Sequence, residues 1–433
     1  MARRLENTLL LPDIAAQYVS ASHSVSLRLL AYALQAFPLA NPFKGSETRS
    51  LAENLNVMRL WADMLVARGE NEAAATAWRQ VALWSHGARD QVGATLALAQ
   101  ALRLLLEKMD PQEATATATG LIKMLGPLPL SKTKSEAMVV LSECLLWLGD
   151  IKAAKILQQE ASRETESLRL DTTLLAAQIY LAEGQESQAI FLLDDSESNL
   201  GIFKDAQGAR MALGMMRLQI EKDAGDYGAA FTLVEELIGV AKSEGLLLQE
   251  AMLEATRTEL DAAIYADIDV ITHGIQALKL FDRLNLGQAR RVGVKSILAQ
   301  ALNRMGRAKK GIEYAEEVAT YAHRIHDLGL EQEFTVIAAD LAARDLQGIR
   351  AAGLYGSAAD LYSEQPLLRA RYLRKCAVQL MASAGSDREK TTNWALALMR
   401  EAGDLLHALD RDREVAGELS AWAFDRLWIK TRR

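Results

Sequence analysis

Histidine, cysteine and clustered carboxylates are the residues through which this chain could do chemistry, and their spacing says how much. His323 and His326 stand three apart and are followed by Asp327. On a helix such a pair shares a face and could offer two ligands to one metal. No third or fourth ligand follows nearby, so the pair reads as solvated or partner-facing. His23, His86, His273 and His407 are scattered. Cys144 lies inside the apolar run CLLWLG and reads as a small packed residue. Cys376 follows Arg374 and Lys375, whose charge could lower a thiol pKa. The two cysteines form no CxxC pair, which excludes a disulfide scaffold and a thiolate zinc cluster. There is no GxSxG and no phosphate-binding glycine loop. Carboxylate pairs such as Asp194-Asp195 and Glu235-Glu236 are adjacent, and adjacent residues do not share a helix face. The expectation is a non-enzymatic protein with no cofactor and no metal.

Charge offers a second kind of chemistry. Arg369, Arg371, Arg374 and Lys375 fall within PLLRARYLRKC, and Lys430, Arg432 and Arg433 end the chain. A basic face could receive an acidic peptide or a phosphate backbone, so the first cluster is an alternative binding patch. The whole chain carries 49 basic and 56 acidic residues, a net −7, which speaks against nucleic acid as the partner. The opening MARR resembles the start of a signal peptide, but the apolar run Leu9–Leu11 ends at Pro12-Asp13, short of the roughly 7–15 apolar residues required. No window approaches the ~18 apolar residues of a membrane span. A cytoplasmic protein with no membrane association is expected.

The elements that would position these residues announce themselves by repetition. The 433 residues would fill about three domains at ordinary size. Glycine and proline together number 34, about 8% of the chain against the ~12% usual in globular chains, which predicts few loops. Turns with similar flanks recur at Gly69, Gly149, Gly184, Gly225 and Gly306, with weaker members at Asp110-Pro111 and Ala266-Asp267. A spacing of 35–41 residues indicates a repeat architecture. Apolar residues at three- and four-residue spacing flank each turn: Met58, Trp61, Ala62 and Leu65 before Gly69, then Ala74, Trp78 and Val81 after it. Each unit therefore reads as two amphipathic helices. Asp110-Pro111 with Glu113, and Ser386 with Glu389, supply helix N-terminal signals.

Aligned on the turn glycine, the units resemble the tetratricopeptide (TPR) repeat, which pairs a bulky and a small residue in its first helix with a small residue five positions after the glycine. The chain shows Trp61-Ala62, Gly69, Ala74, Trp78 and Val81; then Leu141-Ser142, Gly149, Ala154 and Ala161, with Gln158 at the bulky position. It continues with Ala176-Ala177, Gly184, Ala189 and Leu193, and with Leu298-Ala299, Gly306, Gly311 and Val318. The Gly225 unit departs from the pattern, with Leu218 where the small residue belongs, and segments 91–130 and 248–285 leave the register open. Steps near 40 imply helices longer than the family norm, as in the sensor arms of some bacterial transcriptional regulators.

The resemblance implies an all-α fold: a right-handed solenoid of about eight helical hairpins with helical caps. Residues 1–50 would form an N-terminal cap and loop, 51–352 the repeat array, and 353–433 C-terminal helical repeats or cap, with helices near 366–384, 390–408 and 412–428. TPR proteins bind ligands on the concave face of their first helices. Carried over by the turn glycine, that face offers Asn56, Arg59 and Asp63; Glu136, Val139 and Glu143; Asp171, Leu174 and Gln178; and Ser296 and Gln300. A mixed polar groove suits a peptide or protein partner. The expected function is a scaffold or adaptor, and the alternative is a sensor arm, responsive to a peptide or small molecule, regulating a transcriptional or signalling partner. A homo-oligomer is compatible with either.

Overall fold

The computed structural model describes residues 15, 17–18, 23–37, 50–163, 169–384, 387–409 and 413–431. Among the described residues there are twenty α-helices and no strand. After α1 (His23–Ala36) the helices come in pairs: α2 (Leu51–Arg68) with α3 (Asn71–Gly87), α4 (Gln91–Leu105) with α5 (Pro111–Leu125), α6 (Lys132–Trp147) with α7 (Ile151–Ala161), α8 (Arg169–Ala182) with α9 (Glu186–Ser198), and α10 (Ala206–Ala224) with α11 (Tyr227–Ser243). Next are α12 (Leu247–Ala263) with α13 (Asp267–Arg283), α14 (Gln288–Arg304) with α15 (Ala308–Ile325), α16 (Leu328–Arg344) with α17 (Gly348–Leu361), and α18 (Pro366–Ala382) with α19 (Arg388–His407). Helix α20 (Arg413–Thr431) comes last. The chain forms two compact units: residues up to Leu260 with Ala277–Arg290, and Asp261–Gln276 with Arg291–Arg433.

The turn glycines do what the pattern requires. Gly69, Gly149, Gly184, Gly225 and Gly306 all have positive φ, between 68° and 82°. At Gly69 the backbone N–H bonds back to the Val66 carbonyl and that of Glu70 to the Leu65 carbonyl, each at 2.9 Å, which ends α2 and reverses the chain. The small positions are equally consistent: Ala74, Ala154 and Ala189 are wholly buried. Ser142 donates its hydroxyl to the Ala154 carbonyl at 2.7 Å, joining the two helices of its hairpin. Gln158 lies on α7, where a bulky residue was expected. It donates to the Thr172 carbonyl of α8 at 3.1 Å. Leu218 is buried without a clash because Gly214, one turn earlier, takes the small role. A Cβ there would stand 2.6 Å from Leu237.

Two open segments resolve and one boundary moves. Segments 91–130 and 248–285 both form hairpins. The first turn runs through a 3-10 segment (Leu106–Lys108) and Asp110, whose side chain accepts from Gln112 and Glu113 backbone N–H groups. The second puts Tyr265, not a glycine, at φ 59°. A further hairpin, α16 with α17, turns at Leu346, φ 58°, so the array boundary drawn at 352 falls inside α17. It was missed because no glycine marks that turn. The helices expected near 366–384, 390–408 and 412–428 are α18, α19 and α20. Ser386 and the segment 38–49 lie outside the described residues.

In the first unit the N-terminal segment does more than cover one end of the array. Helix α1 packs against α2 and also against α10 of the fifth hairpin. Ser24 donates its backbone N–H to Asp205, and Arg28 reaches the Glu244 carbonyl at 3.3 Å. Later residues return to the same place: Asn285 donates to the Leu34 carbonyl at 3.2 Å. Gly287 lies so close to Arg68 that a Cβ would stand 2.3 Å from its carbonyl oxygen.

Candidate functional site

The first helices of the first unit line a cavity of about 430 Å³. Its register is that of the turns. Asp63, Arg103, Glu143 and Gln178 all line it, each six residues before position 69, 109, 149 or 184. Arg59, Val139 and Leu174 stand one turn further back, and Glu136 and Asp171 nearly another turn. These positions recur because helices of matched length, capped by similar turns, present the same face to the same side. Arg59, Asp63, Glu136, Glu143, Asp171 and Gln178 therefore come together as the groove alignment proposes. Asn56, at the register of Glu136 and Asp171, is not among the lining residues. Gln300 belongs to the second unit, where it donates to Glu333 at 2.8 Å, and Ser296 bonds its own helix at the Gly293 carbonyl.

Sequence reading missed four polar or aromatic contributors: Tyr18, Trp78, Gln100 and Arg103. Gln100 and Arg103 belong to the hairpin whose turn lacks glycine. Counting from Met109 instead would have placed Arg103. Tyr18 precedes the array and reaches the cavity only through the tertiary fold.

The cavity's polar groups divide into engaged and unengaged ones. The Tyr18 hydroxyl donates to Asp63 Oδ2 at 2.9 Å. Arg103 pairs with Glu143 at 2.9 Å, linking neighbouring hairpins, and Lys132 lies 3.5 Å from Glu136. Arg59, Asp171 and Gln178 make no hydrogen bond to the described residues, and Gln100 Oε1 is buried without a partner among them. Burial raises the Asp63 carboxyl from an ordinary 3.8 to about 6, although the Tyr18 hydrogen bond and the charges of Arg103 and Arg59 pull the other way. Asp171 is also raised to about 6, first by the surrounding protein and then by Glu136 and Glu143, with Lys132 opposing. Its side chain still meets water inside the cavity, so the enclosing walls and the like charges act together. Burial and Asp63 both push the Tyr18 hydroxyl well above its usual range.

The alternative basic patch is arranged differently. Arg369 pairs with Glu401 at 2.7 Å, and Arg371 with Glu414 and Glu418 at 2.9 and 2.6 Å. Arg374 bridges Glu418 and Asp425, and Lys375 meets Asp340 at 2.9 Å. Every cation of the run has a carboxylate from a neighbouring helix, so the cluster is no uncompensated basic face. These pairings also leave no free charge to activate Cys376: burial pushes its thiol up to about 11, and that of Cys144 to about 12. His326 takes φ 60° at the end of α15 and His323 pairs with Glu331 at 3.0 Å. Among the described residues no group of three or more His, Cys, Asp or Glu side chains could hold a metal ion, and no helix is long and apolar enough to cross a membrane.

Turns, small positions and first-helix face together define a TPR-like helical-hairpin repeat protein. No family model matches the chain, and no curated protein matches its sequence. Among solved structures it is similar to a signal-transduction ATPase with numerous domains carrying a tetratricopeptide repeat sensor, from Pyrococcus horikoshii (14% identity, TM-score 0.43, covering 78% of this chain and 53% of that one). It is also similar to a Rap protein complexed with competence and sporulation factor (12%, TM-score 0.39, 79% and 99%) and to a human IFIT1 dimer with m7Gppp-AAAA (12%, TM-score 0.43, 98% and 94%). The chain thus spans about half the length of the archaeal ATPase.

Proposed function

We propose that the protein is a non-enzymatic scaffold or adaptor that binds a peptide segment of a partner protein in the cavity of its first unit. The observation that carries this is the set of unengaged polar groups there. Arg59, Gln178 and Asp171, itself one of the two carboxyls held up by their surroundings, converge with no hydrogen bond among the described residues, beside the other, Asp63. Gln100 Oε1 is buried beside them without a partner among the described residues, and a ligand would supply what it lacks. Four carboxylates face two guanidinium groups, which suits a segment offering a basic side chain along with peptide donors and acceptors. The buried free thiols Cys144 and Cys376 fit a reducing, cytoplasmic setting.

The test is affinity purification from the native host with the full chain, in parallel with an Arg59→Ala, Gln178→Ala variant. A partner recovered by the first and lost by the second supports the reading. A partner held equally by both removes the cavity from the account.

The sensor reading is favoured by one contact. Tyr18 belongs to the N-terminal segment yet bonds Asp63 inside the cavity, and the following α1 touches both α2 and α10. A ligand displacing Tyr18 would act on the element that joins the first and fifth hairpins.

A further inference from the structure

The second unit carries a groove of its own, about 530 Å³, built on a different face of the repeats. Ile271 and Ile275 of α13 form one wall, Leu298 and Leu302 of α14 the floor, and Arg307 with Lys309 at the start of α15 the rim. Ile268, Ile271 and Ile275 follow helical spacing and form one apolar stripe. Such a stripe normally lies against a neighbour, but Ile268 is 69% and Ile275 38% exposed.

The rim has a sign. The Arg307 and Lys309 side chains make no ion pair and no hydrogen bond among the described residues, although the Lys309 charge acts on nearby Glu313. The next cation, Lys310, is taken by Glu313, and the one lining acid, Asp345, accepts from Gln347. Arg307 occupies the N-cap of α15 without capping it, a place where Ser, Asp or Asn would satisfy the helix. In a chain of net charge −7, two cations without an ion pair among the described residues, beside an apolar floor, are a local reversal. Next to Asp345, Leu346 holds a positive φ at 92% exposure where five other turns within hairpins have glycine, and Ile349 is 75% exposed. An exposed leucine in a left-handed turn costs the fold and contributes no packing to it.

We infer that this groove docks an amphipathic helix of a partner protein, its apolar face on Ile271, Ile275 and Leu302 and acidic residues along its flank meeting Arg307 and Lys309. The occupant follows from charge: an apolar strip beside a cationic edge matches an apolar stripe beside acidic side chains. The site is separate from the first unit's cavity, and either can fail without the other.

The experiment is fluorescence anisotropy of the full chain against two labelled synthetic helices of about eighteen residues. Both carry one leucine stripe, flanked by glutamate in the first and by lysine in the second. The acidic helix should bind at least ~10-fold tighter than the lysine helix. The Arg307→Glu, Lys309→Glu variant should invert that order, and Ile275→Asp should abolish binding of either. All three positions are exposed, and circular dichroism checks that the variants stay folded. Equal affinity for both helices, no binding of either, or acidic-helix binding that survives all variants overturns the proposal. So does sedimentation with phosphatidylserine vesicles in place of peptide binding, which would make the surface a membrane contact.

Discussion

The cavity of the first unit and the arginine-rich segment of α18 contain the same kinds of side chain, arranged to opposite effect. In α18, Arg369, Arg371, Arg374 and Lys375 each meet a carboxylate from another helix, and Glu418 serves two of them. Charge there ties α18 to α16, α19 and α20. In the cavity, Asp63 is held protonatable by burial, Asp171 by its walls and its acidic neighbours, and Arg59 and Gln178 make no hydrogen bond among the described residues. A run of charges in sequence does not reveal which case applies. What decides is whether the facing helix supplies the complementary group.

That contrast can be broken most forcefully at Glu418. Glu418→Ala removes the acceptor shared by Arg371 and Arg374, two half-buried guanidinium groups. Urea unfolding should show a loss of about 2–3 kcal/mol, below the ~3–5 kcal/mol of a wholly buried pair because Glu414 and Asp425 remain. Ala74→Leu, Ala154→Leu and Ala189→Leu should each cost about 1–3 kcal/mol by overpacking, which anchors the cavity's register to the hairpin contacts. If melting temperatures stay unchanged in all three, that register is wrong. Tyr18→Phe removes a hydrogen bond that favours the ionised Asp63, so NMR titration should place that carboxyl above about 6. The smallest effect belongs to Gln178→Ala, which should leave stability within ~0.5 kcal/mol while weakening partner binding.

Much of the fold was legible because its signals are local. Turn glycines at positive φ and buried alanines five residues later follow from short-range geometry, so the hairpins at Gly69, Gly149, Gly184 and Gly306 emerge from spacing alone. Leu346 and Tyr265 adopt the same backbone without glycine, and their turns were lost or weakened accordingly. The cavity was legible to the same extent: six first-helix residues follow the register, and Arg103 escaped only with its glycine-free turn. Tyr18 and the pairing of Arg374 with Glu418 and Asp425 were illegible, because their partners stand 45, 44 and 51 residues away and the contact is set by packing. Asn56 shows the converse. Register counts positions along a helix and says nothing of which neighbours stand opposite.

The claim that the cavity keeps ionisable groups against the interest of stability is tested most directly at Asp63, by urea unfolding of the wild type and Asp63→Asn between pH 4 and 7.5. A carboxyl raised from 3.8 to about 6 in the folded state stabilises fully below its unfolded pKa, and that contribution is lost as pH rises through about 6. Asn does not titrate. Relative to wild type, Asp63→Asn should therefore gain roughly 1–3 kcal/mol between pH 4 and pH 7. A difference that stays flat with pH, or a variant that loses stability at pH 7 as is expected of Glu418→Ala, would show Asp63 to be an ordinary structural contact and contradict the account.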